Sequence, residues 1–260
     1  MNFYLLILLT LGFPAFSQET VDMNGIPCDI HGSARNHSLS YSVNAFKNRY
    51  SLPAENDFDS SISFNDLSGS ADANQFPQDK AIKLVAYVFN VKSGGVESCN
   101  CRNKDPRFKD THVELIMDED STNPGHRLIV EITPRIRAVM AEMGTNWSTV
   151  SLKRLKGHKV EISGWLFYDA DHENEAVAND PRDEVGKPNW RGTCWEIHPV
   201  TGIKILDRVD EGLATVVNNE TRGSVRNSRG RNSKSTLYYI SIFLIFLIFS
   251  GFLMFLLKRK

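Results

Sequence analysis

Short apolar runs separated by polar stretches predict a β-rich domain in the middle of this chain. The first three runs, at residues 82–91, 113–117 and 128–133, have the length and the apolar, β-branched character of strands. Two further runs follow at residues 160–168 and 193–205. In the fourth run apolar and polar residues alternate, which is typical of a strand with one buried face.

A helix is predicted between the third and fourth strands. Pro134 suits the first turn of a helix, and Thr133 before it suits the N-cap. Gly144 is expected to end the helix, because glycine is common just after the last helical residue. The apolar positions between them recur at intervals of three and four, at Ile136, Val139, Met140 and Met143.

Three strands, a helix and two more strands make up the element order of the OB fold. That fold is a five-stranded Greek-key barrel with a helix inserted between its third and fourth strands. We therefore expect a mainly β fold, with an OB-like barrel domain over residues 80–209. A two-sheet sandwich is the alternative, but it would usually need about seven strands and no central helix.

Three segments within residues 81–206 carry a resemblance to a known group of proteins. Residues 131–135 read Glu-Ile-Thr-Pro-Arg, residues 164–167 read Gly-Trp-Leu-Phe, and residues 195–199 read Trp-Glu-Ile-His-Pro. In these segments the chain resembles OB-like bacterial extracytoplasmic domains of unassigned activity. The resemblance implies a fold rather than a reaction.

The two ends of the chain predict export and membrane anchoring. Residues 1–17 combine a short apolar core with small residues before Gln18, as in a signal peptide. Residues 237–257 are apolar and uncharged, reach about 30 Å as a helix, and precede a basic tip at 258–260. We expect a single-pass protein with its main domain outside the cytosol, periplasmic or at the cell surface, and the tip inside.

Two polar segments flank the predicted domain. Residues 18–79 are rich in Ser, Asn and Asp and are expected to form a flexible leader. Residues 210–236 form a basic linker, whose cations would contact anionic lipid headgroups. Alternatively, the whole tail is a sorting signal that is recognised and trimmed.

Two long loops, at residues 92–111 and 169–192, are expected at the same end of the barrel. OB folds bind oligonucleotides and oligosaccharides with these loops. The second loop is rich in acidic residues, and the net charge of the chain is −1, which together argue against a general binder of polyanions. The alternative is a pair of solvated loops with balanced charge. The candidate ligand-binding residues are Arg102, Lys104, Arg107, Phe108, Lys109, Trp190 and Arg191.

The chain has four cysteines, an even number that favours disulfides in an oxidising compartment. We expect Cys194 to pair with Cys99 or Cys101, which would tie the two loops together, and Cys28 to take the remaining partner. The alternative is a metal site formed by Cys99, Cys101 and Cys194 with His112 or His198. It is weaker, because structural zinc pairs usually have two to four residues between the cysteines. We expect neither a bound metal nor a cofactor.

The chain contains no complete catalytic motif. Polar residues that stand out near the apolar runs are His112, Glu131, Arg135, Arg137, His172, Glu196 and His198. The favoured hypothesis is a membrane-anchored, extracytoplasmic binding module for an oligosaccharide or another extended polymer, with nucleic acid or an envelope protein as other ligands. The first alternative is a secreted metal-dependent phosphodiesterase similar to thermonucleases, which are also OB barrels. The second is a purely structural envelope protein.

Overall fold

Five strands close into a barrel in the computed structural model, which describes residues 20–179 and 189–207. The barrel strands are β3 (Ala81–Ser93), β4 (Thr111–Ile116), β5 (Leu128–Ile132), β6 (Lys159–Tyr168) and β7 (Trp195–Ile205). A small sheet of β1 (Val21–Asp22) and β2 (Pro27–Cys28) precedes them. The helices are α1 (Leu39–Lys47), α2 (Phe64–Ser68), α3 (Pro134–Glu142) and α4 (Thr149–Leu152).

The order of strands around the barrel is β3-β4-β5-β7-β6, and β6 returns to β3. Neighbouring barrel strands are antiparallel except β5 and β7, which are parallel. This topology, with α3 between the third and fourth barrel strands, is compatible with an OB-like fold. The predicted mainly β class and closed five-stranded barrel are confirmed.

The barrel interior is filled by the inward-facing residues that the alternating pattern predicts. In β6, Val160, Ile162 and Leu166 belong to the buried core, while Glu161 and Ser163 are only partly buried. Gly164 lies where β6 and β7 lose regular register, and a Cβ atom there would collide with the carbonyl oxygen of Pro199. Glycine therefore permits the close approach that closes the barrel.

Helix α3 begins and ends where the sequence predicts. The Oγ1 atom of Thr133 accepts a hydrogen bond from the backbone N–H of Ile136 at 3.2 Å. Gly144 takes the left-handed conformation just after the helix, with φ of 82°. Ile136 and Met140 turn into the barrel core, so the helix closes one end of the barrel.

The segment expected to be a flexible leader differs from that expectation. From residue 20 onward it contains β1, β2, α1 and α2, and it contributes Ile62, Phe64 and Leu67 to the core. The Ser-rich composition has a structural use, because Ser38 and Ser63 cap the two helices through their side chains. A few apolar residues are enough to dock the segment when capping residues fold it locally.

None of the helices within the described residues is long and apolar enough to cross a membrane. The predicted signal peptide at residues 1–17, the linker at 210–236, the apolar run at 237–257 and the basic tip lie outside the described residues.

Candidate metal centre

Both long loops contribute to one cleft beside α1. The first loop supplies Val96–Ser98 and Arg102, and the second supplies the segment that begins at Asp169. Residues of α1, including Lys47, form the third side, and the volume is about 280 Å³. A ligand in this cleft would contact both loops at once.

Lys47 lies on one side of the cleft between two carboxylates. Its Nζ atom is 2.8 Å from Asp169 Oδ2 and 3.4 Å from Glu97 Oε2. Burial by itself would lower the pKa of Lys47, but the charges of Asp169 and Glu97 outweigh burial and raise this pKa well above its usual value. Lys47 therefore remains a cation at physiological pH.

Further titratable side chains lie close to Glu97, where three neighbouring barrel strands run side by side. Asp110 directly precedes β4, His112 lies on β4, Glu131 on β5 and His198 on β7. The antiparallel register pairs His112 with Glu131. The parallel register pairs Val130 with Ile197, which puts His198 beside Glu131 on the next strand.

Glu131 lies between the two imidazoles. Its Oε1 atom is 3.2 Å from His112 Nε2, and its Oε2 atom is 3.5 Å from His198 Nδ1. Although His112 Nε2 is close to Glu131, neither ring nitrogen of His112, nor Nε2 of the fully buried His198, makes a hydrogen bond with the geometry that such a bond requires among the described residues. Buried polar atoms without a partner are uncommon and costly in proteins, so they require an explanation.

Groups of potential metal ligands overlap in this cluster. In each group the ligand atoms of three residues lie within 4.8 Å of one another. Imidazole nitrogens combined with carboxylate oxygens suit divalent transition metals such as Zn²⁺, Mn²⁺ and Fe²⁺. The groups are Glu97-Cys99-Asp110, Glu97-His112-Glu131 and Asp110-Glu131-His198.

The carboxylates of this cluster repel one another, and burial adds to the cost of their negative charge. Burial, with the nearby charge of Glu97, raises the pKa of Asp110 to about 6. Burial, with the charges of Glu196 and Glu97, raises the pKa of Glu131 well above its usual value. Burial lowers the pKa of His112 to about 4, so this imidazole is neutral at physiological pH, the form that binds metals.

A buried ion pair lies next to His198. Arg191 Nη2 lies 2.6 Å from Glu196 Oε1, and both side chains are wholly buried. The charge of Arg191 outweighs burial and holds the pKa of Glu196 well below its usual value. The other carboxylate oxygen of Glu196 is 3.4 Å from His198 Nδ1, so the pair helps to orient that ring.

The seven candidate ligand residues do not gather at one site. Arg102 lines the cleft described above, whereas Arg107 and Phe108 line a separate cleft of about 880 Å³ beside α3 and α4. Lys104 is exposed and Lys109 is half-buried. The structure buries Arg191 completely, which does not fit the expected contact with a ligand at the surface.

Trp190 is half-buried and engaged by its neighbours. Its Nε1 atom donates a hydrogen bond to Glu175 Oε2 at 2.6 Å. The Nζ atom of Lys92 lies 4.5 Å from the centroid of one ring. These contacts bind the end of the second loop to β3.

Arg135 and Arg137, which a phosphodiesterase could use to bind phosphate, instead donate hydrogen bonds to main-chain oxygen atoms. Arg135 donates a hydrogen bond to the carbonyl oxygen of Cys28 at 2.7 Å. Arg137 donates to the carbonyl oxygens of Lys109 and Arg107, at 2.6 and 2.9 Å. The two guanidinium groups therefore fasten β2 and the first loop to α3.

The predicted disulfide is confirmed, but the predicted role of Cys194 is wrong. Cys28 is bonded to Cys101, with Cα atoms 5.9 Å apart, while Cys99 and Cys194 are free and buried. The small sheet of β1 and β2 brings Cys28 to the first loop, which sequence spacing could not reveal. Since Cys101 is oxidised, the sulfur ligand of the candidate groups is Cys99.

Two members of this cluster do not stand out in the sequence. Glu97 and Asp110 lie in the first loop, where charged residues are ordinary. A usable signal was the presence of Glu131, Glu196 and His198 within otherwise apolar strands. These residues lie on β5 and β7, which are neighbours in the barrel, so their side chains meet.

No protein-family model matches this chain, and no curated protein matches it either.

Proposed function

We propose that this domain is a binding module with a divalent transition-metal centre in the wall of its ligand cleft. The observation that carries the proposal is the position of Glu131 between two largely buried imidazoles. Both nitrogens of His112 and Nε2 of His198 make no hydrogen bond among the described residues, whereas His198 Nδ1 contacts Glu196. Imidazole nitrogens and carboxylate oxygens at these distances could bind a metal without rearrangement of the strands.

Charge supports a cation at this place. Glu131 and Asp110 are almost completely buried, and Glu97 beside them is only partly exposed. Isolated carboxylates are costly to bury, and in proteins they are paired, protonated or bound to a metal. Lys47 forms an ion pair with Glu97 but with neither of the other two within the described residues.

The cleft supports a polar ligand. Glu97 belongs both to the cleft wall and to the candidate metal groups, so a ligand in the cleft would approach the metal. Arg102 and Lys47 bring positive charge there, and Glu97, Asp169 and Asp171 bring negative charge, so the lining is polar and mixed in sign. We therefore favour an oligosaccharide or another extended polar polymer, whose oxygen atoms could complete the metal's coordination.

The predicted location agrees with this proposal. A disulfide between Cys28 and Cys101 is typical of proteins outside the cytosol. Together with the predicted signal peptide and C-terminal anchor, it favours a domain held at the outer surface of a membrane.

Metal analysis of the full-length chain in detergent tests the proposal. We expect purified protein to bind at least one equivalent of Zn²⁺ or Mn²⁺, and His112→Ala or His198→Ala to bind less. His126→Ala is the matched control, because His126 is exposed, lies in the turn before β5 and belongs to none of the candidate ligand groups. Failure of the wild-type chain to bind either metal, or equal loss in the control, would refute the proposal.

Metal-dependent phosphodiester hydrolysis is the second candidate function. The position of Glu97 at both the cleft and the metal groups favours it, because a bound metal could activate water beside a substrate. A fluorescent single-stranded oligonucleotide should then lose anisotropy with the metal-loaded protein and keep it after chelation. An intact oligonucleotide under both conditions would argue against hydrolysis and leave ligand binding as the proposed function.

A further inference from the structure

We infer that the centre holds two divalent metal ions, bridged by the carboxylate of Glu131. This inference rests on the proposed metal site and goes beyond it in the number of ions and in the role of one residue.

The two oxygens of Glu131 face different partners. Oε1 lies 3.2 Å from His112 Nε2, on β4, while Oε2 lies 3.5 Å from His198 Nδ1, on β7. Glu131 is on β5, between these two strands in the barrel. One carboxylate thus presents one oxygen to each imidazole, which is the arrangement required of a bridging ligand.

The imidazoles belong to separate sets of ligands. The first set is Glu97, His112 and Glu131, and the second is Asp110, Glu131 and His198. Only Glu131 is common to both. Each set has three protein ligands, the number found in zinc sites that keep one position for water or substrate.

Cys99 lies between the outer carboxylates of the two sets. Its Sγ atom is 3.4 Å from Glu97 Oε2 and 3.9 Å from Asp110 Oδ2. The two sets are therefore linked at two places, through the carboxylate of Glu131 and through the contacts of Cys99 with Glu97 and Asp110.

Charge also favours two ions over one. The sets contain three carboxylates, Glu97, Asp110 and Glu131, and the charge of the nearby Lys47 is balanced by Asp169, so a single divalent ion would leave one negative charge uncompensated. Two ions would leave one positive charge, which hydroxide or an anionic ligand in the cleft could neutralise. Pairs of metal ions in proteins are typically about 3.5–4 Å apart and act together on one anionic group.

Titration of the full-length chain with Mn²⁺, followed by electron paramagnetic resonance, tests the inference. We expect two equivalents to bind and the spectrum to show magnetic coupling between them. His112→Ala and His198→Ala should each keep one equivalent with an uncoupled six-line spectrum. Glu131→Ala should abolish the coupling, whereas His126→Ala should behave as the wild type.

The outcomes separate this inference from the proposed function. One equivalent in the wild type, with an uncoupled spectrum, would overturn the bridged pair and leave a mononuclear centre. No binding would overturn both. If His198→Ala does not fold, His112→Ala decides, since His112 is partly exposed and its removal should disturb packing less.

Discussion

Lys47, the last residue of α1, forms a buried ion pair with Asp169, the first residue after β6, with 2.8 Å between Nζ and Oδ2. The two residues are 122 positions apart, and their side chains are only 8% and 2% exposed. The pair joins the segment before the barrel to the second long loop. The folded domain therefore includes α1, and a fragment that begins at the barrel would lack one side of the cleft.

Lys47→Met should destabilise the protein strongly. It would leave Asp169 buried without its cation, and such a loss typically costs about 3–5 kcal/mol. Urea unfolding monitored by circular dichroism measures the change. Lys204→Met is the control, because Lys204 is exposed on β7 and its replacement should change the free energy of unfolding by less than about 0.5 kcal/mol. Similar stabilities of the two variants would contradict the role given to Lys47.

Arg191→Met should likewise lower stability, by about 3–5 kcal/mol, because Glu196 would keep a buried charge without a partner. Replacing both residues in Arg191→Met/Glu196→Leu should recover part of the loss, since no unpaired charge remains. Denaturant unfolding of the two variants provides the comparison. A double variant less stable than the single one would show that the pair is not the source of the effect.

Removing the disulfide should destabilise the folded chain. The bond joins residues separated by 73 positions, and a loop of this length corresponds to about 4 kcal/mol in the chain-entropy account. Cys28→Ser/Cys101→Ser and the reduced wild type should unfold at similar, lower urea concentrations than the oxidised wild type. Adding reductant to the double variant is the control and should have no further effect.

The two free thiols should resist alkylation in the folded protein. Burial raises the pKa of Cys194 to about 12 and that of Cys99 well above its usual value, and only the thiolate reacts. Iodoacetamide at mildly alkaline pH should therefore label Cys99 and Cys194 only after denaturation. Labelling of Cys28 or Cys101 without reductant, seen by peptide mapping, would contradict the pairing.

Chelation should lower the thermal stability of the metal-loaded protein. A ligand bound at a hundredfold excess over its Kd contributes about 2.7 kcal/mol to the folded state. Scanning calorimetry with and without chelator should show a lower Tm after chelation for the wild type. The His112→Ala variant should show a smaller shift, and an equal shift would place the metal elsewhere.

Local signals accounted for the parts of the fold that the sequence predicted correctly. Runs of β-branched residues located the five barrel strands, and Thr133, Pro134 and Gly144 marked the limits of α3. Polar composition misled where the serines act as helix caps, as at Ser38 and Ser63. Composition reports the average burial of a segment, whereas a few apolar residues such as Phe64 decide whether it docks.

The sequence by itself determined the order of strands and helix, and hence the class of fold, because strand periodicity and helix capping depend on neighbouring residues. Only the tertiary structure decided which side chains meet. Barrel closure brings Glu97 and Asp110 from a loop to His112, Glu131 and His198 on three strands, and it turns Arg191 inward to Glu196. It also selects Cys101 as the partner of Cys28. These contacts join residues far apart in sequence, so they depend on the register between strands and on how the loops pack.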